Sequence, residues 1–298
     1  MQILEKLKII PKKQEKKASF QAIILNTPTL KNSYSGQILG RTLADWVAFA
    51  CNNINVKIID FDGKTAILNV AKEHIDQSYD FTILLMSTTP LLTQDTIASI
   101  MEYCKIKDIS LCKLPVGYVI KNDAFLNSKV DITVDSLYSQ NLDEFMIVET
   151  KKQFTQAEDV LQDRINSFHI ANGVEIKNIK TVYIEPEVDI SKGVVIFGGN
   201  ILKGQTTIFH DVILKENNVI ENSKIQENSC VSCSVISDSV ISSNVYISSF
   251  CEIKNSLIEK DCSIGAGSKI YNYNVKMQSK IKSNTVLGES DDSNNWTR

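Results

Sequence analysis

A branched aliphatic residue recurs at a fixed beat through the second half of the chain. Ile184 is followed by Ile190, Ile196, Leu202, Ile208, Leu214 and Ile220, each six residues after the last. Neither the period of an α-helix nor the strict alternation of a strand produces that spacing. The beat shortens to five at some later steps and runs on through Ile225, Val231, Ile236, Ile241, Ile247, Ile253, Ile258, Ile264 and Ile270. Behind the six-residue steps a second set of small residues recurs: Val188, Val194, Thr206, Val212, Ser229, Val245, Cys251, Cys262 and Ser268. Where the step is five a serine stands instead, at Ser223, Ser234, Ser239 and Ser256, often after Asn222, Asp238 or Asn255 as a tight turn prefers. This is a hexapeptide pattern with two inward ladders.

The first half reads differently. Residues 20–25 are an apolar run closed by Asn26, Thr27 and Pro28, which predicts a buried strand and a turn. Leu43, Trp46, Val47 and Ala50 share one face of a helix opened by Gly40 and Thr42 and ended by asparagines. Short strands are predicted at 56–61 and 79–90, a helix at 62–75, and a further helix after Thr93, which is placed to cap it. Strands alternating with helices at this spacing predict a parallel sheet covered by helices.

Particular residues in both halves resemble one family. The hexapeptide segment is similar to the left-handed parallel β-helix of hexapeptide-repeat acyltransferases and sugar nucleotidyltransferases. The strand Ala22-Ile23-Ile24-Leu25, the segment Gln37-Ile38-Leu39-Gly40-Arg41-Thr42-Leu43 and the strand ending Thr89-Pro90-Leu91-Leu92 resemble the opening and a later strand of sugar-1-phosphate nucleotidyltransferases. The junction Asp163-Arg164-Ile165-Asn166, His169, Asn172-Gly173-Val174 and Thr181-Val182-Tyr183-Ile184 is the most specific match. It is similar to the helix and first coil that join the two halves of the bifunctional N-acetylglucosamine-1-phosphate uridylyltransferase / glucosamine-1-phosphate N-acetyltransferase. The resemblance implies a truncated, Rossmann-like nucleotidyltransferase-type α/β domain followed by a left-handed parallel β-helix. The expected division is a basic tail at 1–18, the α/β domain at 19–154, a linking helix and junction at 155–175, the β-helix at 176–288 and a polar tail at 289–298. In that fold a coil holds three hexapeptides, so the sixteen rungs from Ile184 to Ile270 predict about five coils stacked at the ~4.8 Å spacing of a sheet. One coil cannot bury its own inward face, so stability accrues by stacking.

Composition changes this picture little. The chain has 298 residues, a net charge of −3 and 43% hydrophobic residues. That balance gives no footprint for nucleic acid, and no apolar run approaches the roughly eighteen residues of a membrane span. The lysine-rich start lacks a secretory cleavage pattern, and a cytoplasmic protein is expected. Seven scattered cysteines are not a disulfide framework. Cys230 and Cys233 form a C-x-x-C without a second pair, and a β-helix corner accounts for them better than a metal site.

The candidate chemistry rests on the resemblance. A nucleotidyltransferase needs a backbone cradle for the triphosphate, a cation, and Mg²⁺ on the phosphate oxygens. Leu25, Asn26, Thr27 and Lys31 occupy the loop that the family makes glycine-rich, and Pro28 removes an N–H there. Thr65 and Ala66 stand where uracil is read, and Thr88 stands where the family has its metal-binding aspartate. A hydroxyl does not replace a carboxylate on Mg²⁺, so Mg²⁺ is expected only if the site is active, through a neighbouring acid such as Asp80 or Asp95. For acetyl transfer, Asn272 and Tyr273 resemble an Asn-Tyr motif, yet His210 is the one histidine of the repeat and no arginine lies between Arg164 and Arg298. The expectation is a protein of the UDP-N-acetylglucosamine pathway with eroded catalytic sites and a binding, assembly or regulatory role. It would be a homotrimer, bind a sugar nucleotide or sugar phosphate, and hold no resident metal. The alternatives are an active sugar-1-phosphate nucleotidyltransferase with substitute residues, and a hexapeptide-repeat acyltransferase.

Overall fold

The structure is a computed structural model that describes residues 19–27, 36–107, 109–127 and 133–289. Two compact units divide the chain: one holds the described residues of 19–27 and 43–149, the other 36–42 and 150–289.

In the first unit, strands β1 (Phe20–Asn26), β4 (Asn55–Asp60), β5 (Phe81–Met86), β6 (Leu111–Lys113), β7 (Tyr118–Lys121) and β8 (Ser136–Leu137) form one sheet in the order β4-β1-β5-β7-β6-β8; the short strands β2 (Gln37–Ile38) and β3 (Arg41–Thr42) lie outside it. β1 pairs in parallel with β4 and β5, with Leu25 opposite both Ile59 and Met86. The expectation of a parallel sheet holds there and at the far edge, where β6 pairs in parallel with β8. β7 runs antiparallel to both β5 and β6, because the chain returns through Gly117 without a crossover helix. Gly117 has a φ of +111°, and a Cβ on it would fall on the carbonyl oxygen of Leu84, so the reversal requires glycine.

Helices α1 (Leu43–Ala50), α2 (Ile67–His74), α3 (Gln94–Lys107) and α4 (Asn122–Asn127) belong to this unit. Trp46, Val47 and Ala50 are buried as their spacing predicts. The cap of α3 is where the sequence puts it: the Thr96 N–H donates to Thr93 Oγ1 at 3.2 Å. Both faces of the sheet are apolar, Ile24, Ile83 and Leu85 on one side and Ile23, Leu25 and Leu84 on the other. A sheet buried on two sides needs such continuous apolar runs.

The second unit starts with α5 (Lys151–Ala171), a longer helix than the predicted linking helix. Thr150 and Gln153 form a reciprocal capping box at its start. The predicted helix opening at Gly40 and Thr42 is corrected here. β2 and β3 pair as an antiparallel hairpin around Leu39 and Gly40, and this hairpin groups with the second unit. Two adjacent residues with positive φ, Leu39 at 49° and Gly40 at 78°, give the turn that a two-residue hairpin demands.

After α5 the chain winds into a left-handed parallel β-helix, a triangular prism of three parallel sheets with seven, six and seven short strands. The predicted rungs stack in register: Ile184, Leu202, Ile220, Ile236, Ile253 and Ile270 form one inward column. There are about seven coils rather than about five, since Ile176, Val275, Ile281 and Leu287 extend the ladder at both ends. Ile176 escapes the six-residue beat because the 3-10 turn Ile179–Thr181 intervenes.

The corners explain the five-residue steps. Ser239 Oγ donates to Ser237 O at 2.6 Å and accepts the N–H of Ser256 at 3.0 Å, one coil on. Ser223 does the same for the N–H of Ser239, and Ser256 for that of Tyr273. Each hydroxyl therefore satisfies a backbone donor that the shortened corner would leave unpaired in the interior. Asn222, Asp238, Asn255 and Asn272 take the positive-φ positions of this same edge, where short polar side chains tolerate the left-handed region.

Candidate functional site

The crossing point of the α/β unit lies at the carboxyl ends of β1 and β5, since the chain leaves β1 toward β4 on one side and then crosses to β5 on the other. In open α/β sheets ligands bind at such a point. Leu25, Asn26, Thr27 and Thr88 meet there. The Ser87 N–H donates to Leu25 O at 2.9 Å, and the Thr27 N–H donates to Ser87 Oγ at 3.2 Å, so the two loops are clasped. Asn26 Nδ2 donates to Asp60 Oδ1 at 2.9 Å, which ties in the end of β4.

Residues 87–92 are all buried. Thr88 is 4% exposed, and its carbonyl accepts the Val148 N–H at 2.8 Å. Thr89 Oγ1 donates to Met86 O. The segment that follows β8 lies over this loop: Glu144 Oε2 accepts both the N–H and the hydroxyl of Thr93 at 2.9 Å. The position after β5 thus offers the hydroxyls of Ser87, Thr88 and Thr89 and no carboxylate, which does not fit Mg²⁺. Asp80, one of the two neighbouring acids, precedes β5 and accepts from the N–H and hydroxyl of Ser19. It stands at the opposite end of the strand from Thr88. Asp95 is exposed in the first turn of α3. Among the described residues no three His, Cys, Asp or Glu side chains are grouped to hold a metal.

The remaining candidates are dispersed. Thr65 and Ala66 are exposed at the start of α2, where Asp62 Oδ1 accepts the N–H groups of Lys64 and Thr65. Those two donors hold the Asp62 carboxyl below its ordinary value. Lys31 lies outside the described residues. In the other unit, Asn272 has a φ of +51°, accepts from Asn255 Nδ2 at 2.6 Å and donates to Glu289 O at 2.9 Å. Tyr273 donates its N–H to Ser256 Oγ. Both residues do corner work in the stack. His210 is exposed on a different edge, 3.0 Å from Asp211 Oδ2 and 3.9 Å from Glu227 Oε1.

Sequence reasoning missed Ser87 and Asp60, which hold the loop after β1 in place. Ser87 directly follows the buried strand β5 and Asp60 ends the largely exposed strand β4; their place at carboxyl ends of the sheet's strands is the one signal that could have found them.

Comparison with known proteins bears mainly on the repeat. The profile of the family described as GlmU-like, C-terminal hexapeptide, matches residues 205–297. The bifunctional protein GlmU of Clostridioides difficile (strain 630) is 27% identical over 210 residues, 58% of this chain and 46% of that protein. The bifunctional protein GlmU of Clostridium novyi (strain NT) is 30% identical over 154 residues, 51% of this chain and 34% of that protein. This chain thus spans less than half the length of these curated relatives. Among solved structures, the CcmM N-terminal domain in complex with CcmN covers 39% of this chain and 94% of its own at 12% identity, with a TM-score of 0.21, too low to carry an argument. The rung pattern, the three stacked sheets and the family profile over residues 205–297 agree in making the C-terminal repeat unit similar to the GlmU-like hexapeptide family.

Proposed function

We propose that this chain serves the UDP-N-acetylglucosamine pathway as a GlmU-like protein whose α/β unit has lost uridylyl transfer and keeps a binding, assembly or regulatory role. The observation that supports this most is the loop after β5. Uridylyl transfer places a cation against developing phosphate charge, and the residue that the resemblance aligns with that position is Thr88, buried, with Val148 hydrogen-bonded to its carbonyl. Asp80 is held by Ser19 at the far end of the strand, so it is no substitute. A sugar nucleotide or sugar phosphate is the ligand expected of the retained scaffold, and the repeat unit is expected to assemble as a homotrimer through its exposed aromatic edge.

A coupled pyrophosphate assay with UTP and N-acetylglucosamine-1-phosphate tests the reading, with and without Mg²⁺. Loss of the metal carboxylate is worth on the order of a thousandfold or more in rate, so no release above background is expected. Turnover that is abolished by Asp95→Asn would show instead an active nucleotidyltransferase with a relocated metal ligand. A thermal-shift series with UTP, UDP-N-acetylglucosamine, acetyl-CoA and sugar phosphates identifies the retained ligand, since binding to the native state raises the melting temperature.

A further inference from the structure

The start of the repeat unit holds a cavity of about 510 Å³ that the reading above does not use. Phe168, His169 and Asn172 line it from the last turn of α5, and Pro186, Asp189 and Lys192 line it from the first coil. His169 is only 5% exposed. Its ring nitrogens are not among the buried atoms left without a partner, so the ring edge reaches the open space of the cavity, and its ring contact is an edge against Phe168 at 5.4 Å. A polar edge that opens onto a cavity is available to bond whatever fills it. Burial pushes the His169 pKa down, with Asp189 opposing. The ring is therefore neutral near pH 7 and offers one donor and one acceptor.

The rim has a mixed charge. Asp189 and Lys192 are both exposed, and neither forms an ion pair among the described residues. Lys192 lays its stem across Gly173, where a Cβ would come within 3.2 Å of the lysine Cβ. Glu187 is neutralised by Arg41. Phe168, 65% exposed, presents a flat apolar face beside these polar groups.

We infer that this cavity binds a neutral, hydroxyl-rich ring of the class of a monosaccharide unit. Hydroxyls both donate and accept, so one such ligand satisfies a neutral imidazole, a carboxylate and an ammonium at once. Its C–H face rests on the Phe168 ring. A net anion meets Asp189 and the carbonyl end of α5, and a net cation meets Lys192, so neither is favoured over a neutral ligand. The cavity lies in the size range of small-molecule sites.

The chain has three histidines, so proton–nitrogen correlation spectra of the imidazoles of the full-length protein are simple, and His169→Gln assigns the signal. Titration with glucose, galactose, mannose and N-acetylglucosamine should move the His169 signals saturably for at least one sugar while those of His74 and His210 stay in place. Asp189→Asn and Lys192→Met should each weaken that sugar by about five- to tenfold, without lowering the melting temperature, since both side chains are exposed. Absence of a saturable His169 shift with every sugar overturns the site. A shift with inorganic phosphate or glycine and none with a sugar overturns the class of ligand.

Discussion

Arg41 Nε donates to Glu187 Oε1 at 2.7 Å, joining residues 146 apart in sequence within one compact unit. Arg41 sits on the β2–β3 hairpin, and Glu187 sits on the first coil. Glu185 acts nearby: its Oε2 accepts the Gly204 N–H at 2.8 Å, and its carboxyl approaches Gly40 so closely that a Cβ there would come within 2.9 Å. The hairpin is thus part of the β-helix unit although its chain neighbours belong to the sheet unit.

A double-mutant cycle with Arg41→Ala and Glu187→Ala should give a coupling energy of about 1 kcal/mol, at the upper end for pairs that keep some solvent exposure. Chemical denaturation of the full chain measures it. A coupling near zero would mean that burial of Ile38 and Leu39, not the ion pair, holds the hairpin.

The hydroxyl ladder predicts an asymmetric response. Ser239→Ala removes the acceptor of the buried Ser256 N–H and should cost about 1–3 kcal/mol, the penalty for an unsatisfied interior donor. Ser243→Ala, which loses only a bond to the Glu227 carboxylate on a corner, should cost well under that. Equal melting temperatures for the two variants would remove the ladder from the account of stability.

Phe250 adopts a φ of +64° and is 73% exposed. A bulky residue in the left-handed region is an outlier, and the conformation costs roughly 1–2 kcal/mol for a residue other than glycine or asparagine. Phe250→Asn should therefore stabilise the isolated chain by about 1 kcal/mol. With Tyr246, 44% exposed, and the half-buried Tyr271, Phe250 is the surface expected to support the trimer. Sedimentation should show a trimer for the parent and weaker association for the Phe250→Asn, Tyr246→Ser variant. A strictly monomeric parent at micromolar concentration would count against the assembly.

His169 predicts the pH response. Its folded pKa is lowered from 6.5 by burial, so above that value the ring is neutral in both states and contributes nothing to the pH dependence. Below it the unfolded chain takes up the proton that the folded ring refuses, and stability falls as the pH falls through about 6.5. The His169→Gln variant should have a flatter stability profile between pH 7 and pH 5, read by denaturation at each pH. An unchanged slope would assign the acid sensitivity to other groups.

The aliphatic beat alone determined the repeat unit. Its rungs from Ile184 to Ile270 stack in register as spaced, because each coil repeats one local solution and the period fixes which side chains face inward. The Thr93 cap and the buried face of α1 were equally legible, since they are set by residues a few positions apart. Tertiary structure decided the rest. Gly117 folds β7 back against β5, the hairpin at 37–42 joins a unit encoded more than a hundred residues later, and Thr88 is closed over by Val148. His169 read from sequence as a junction residue of no particular chemistry, and only the first coil packed beside α5 leaves its imidazole buried at a cavity. Such features arise from contacts between distant segments, whose pairing is set by the free energy of the whole packed unit and leaves no periodic trace along the chain.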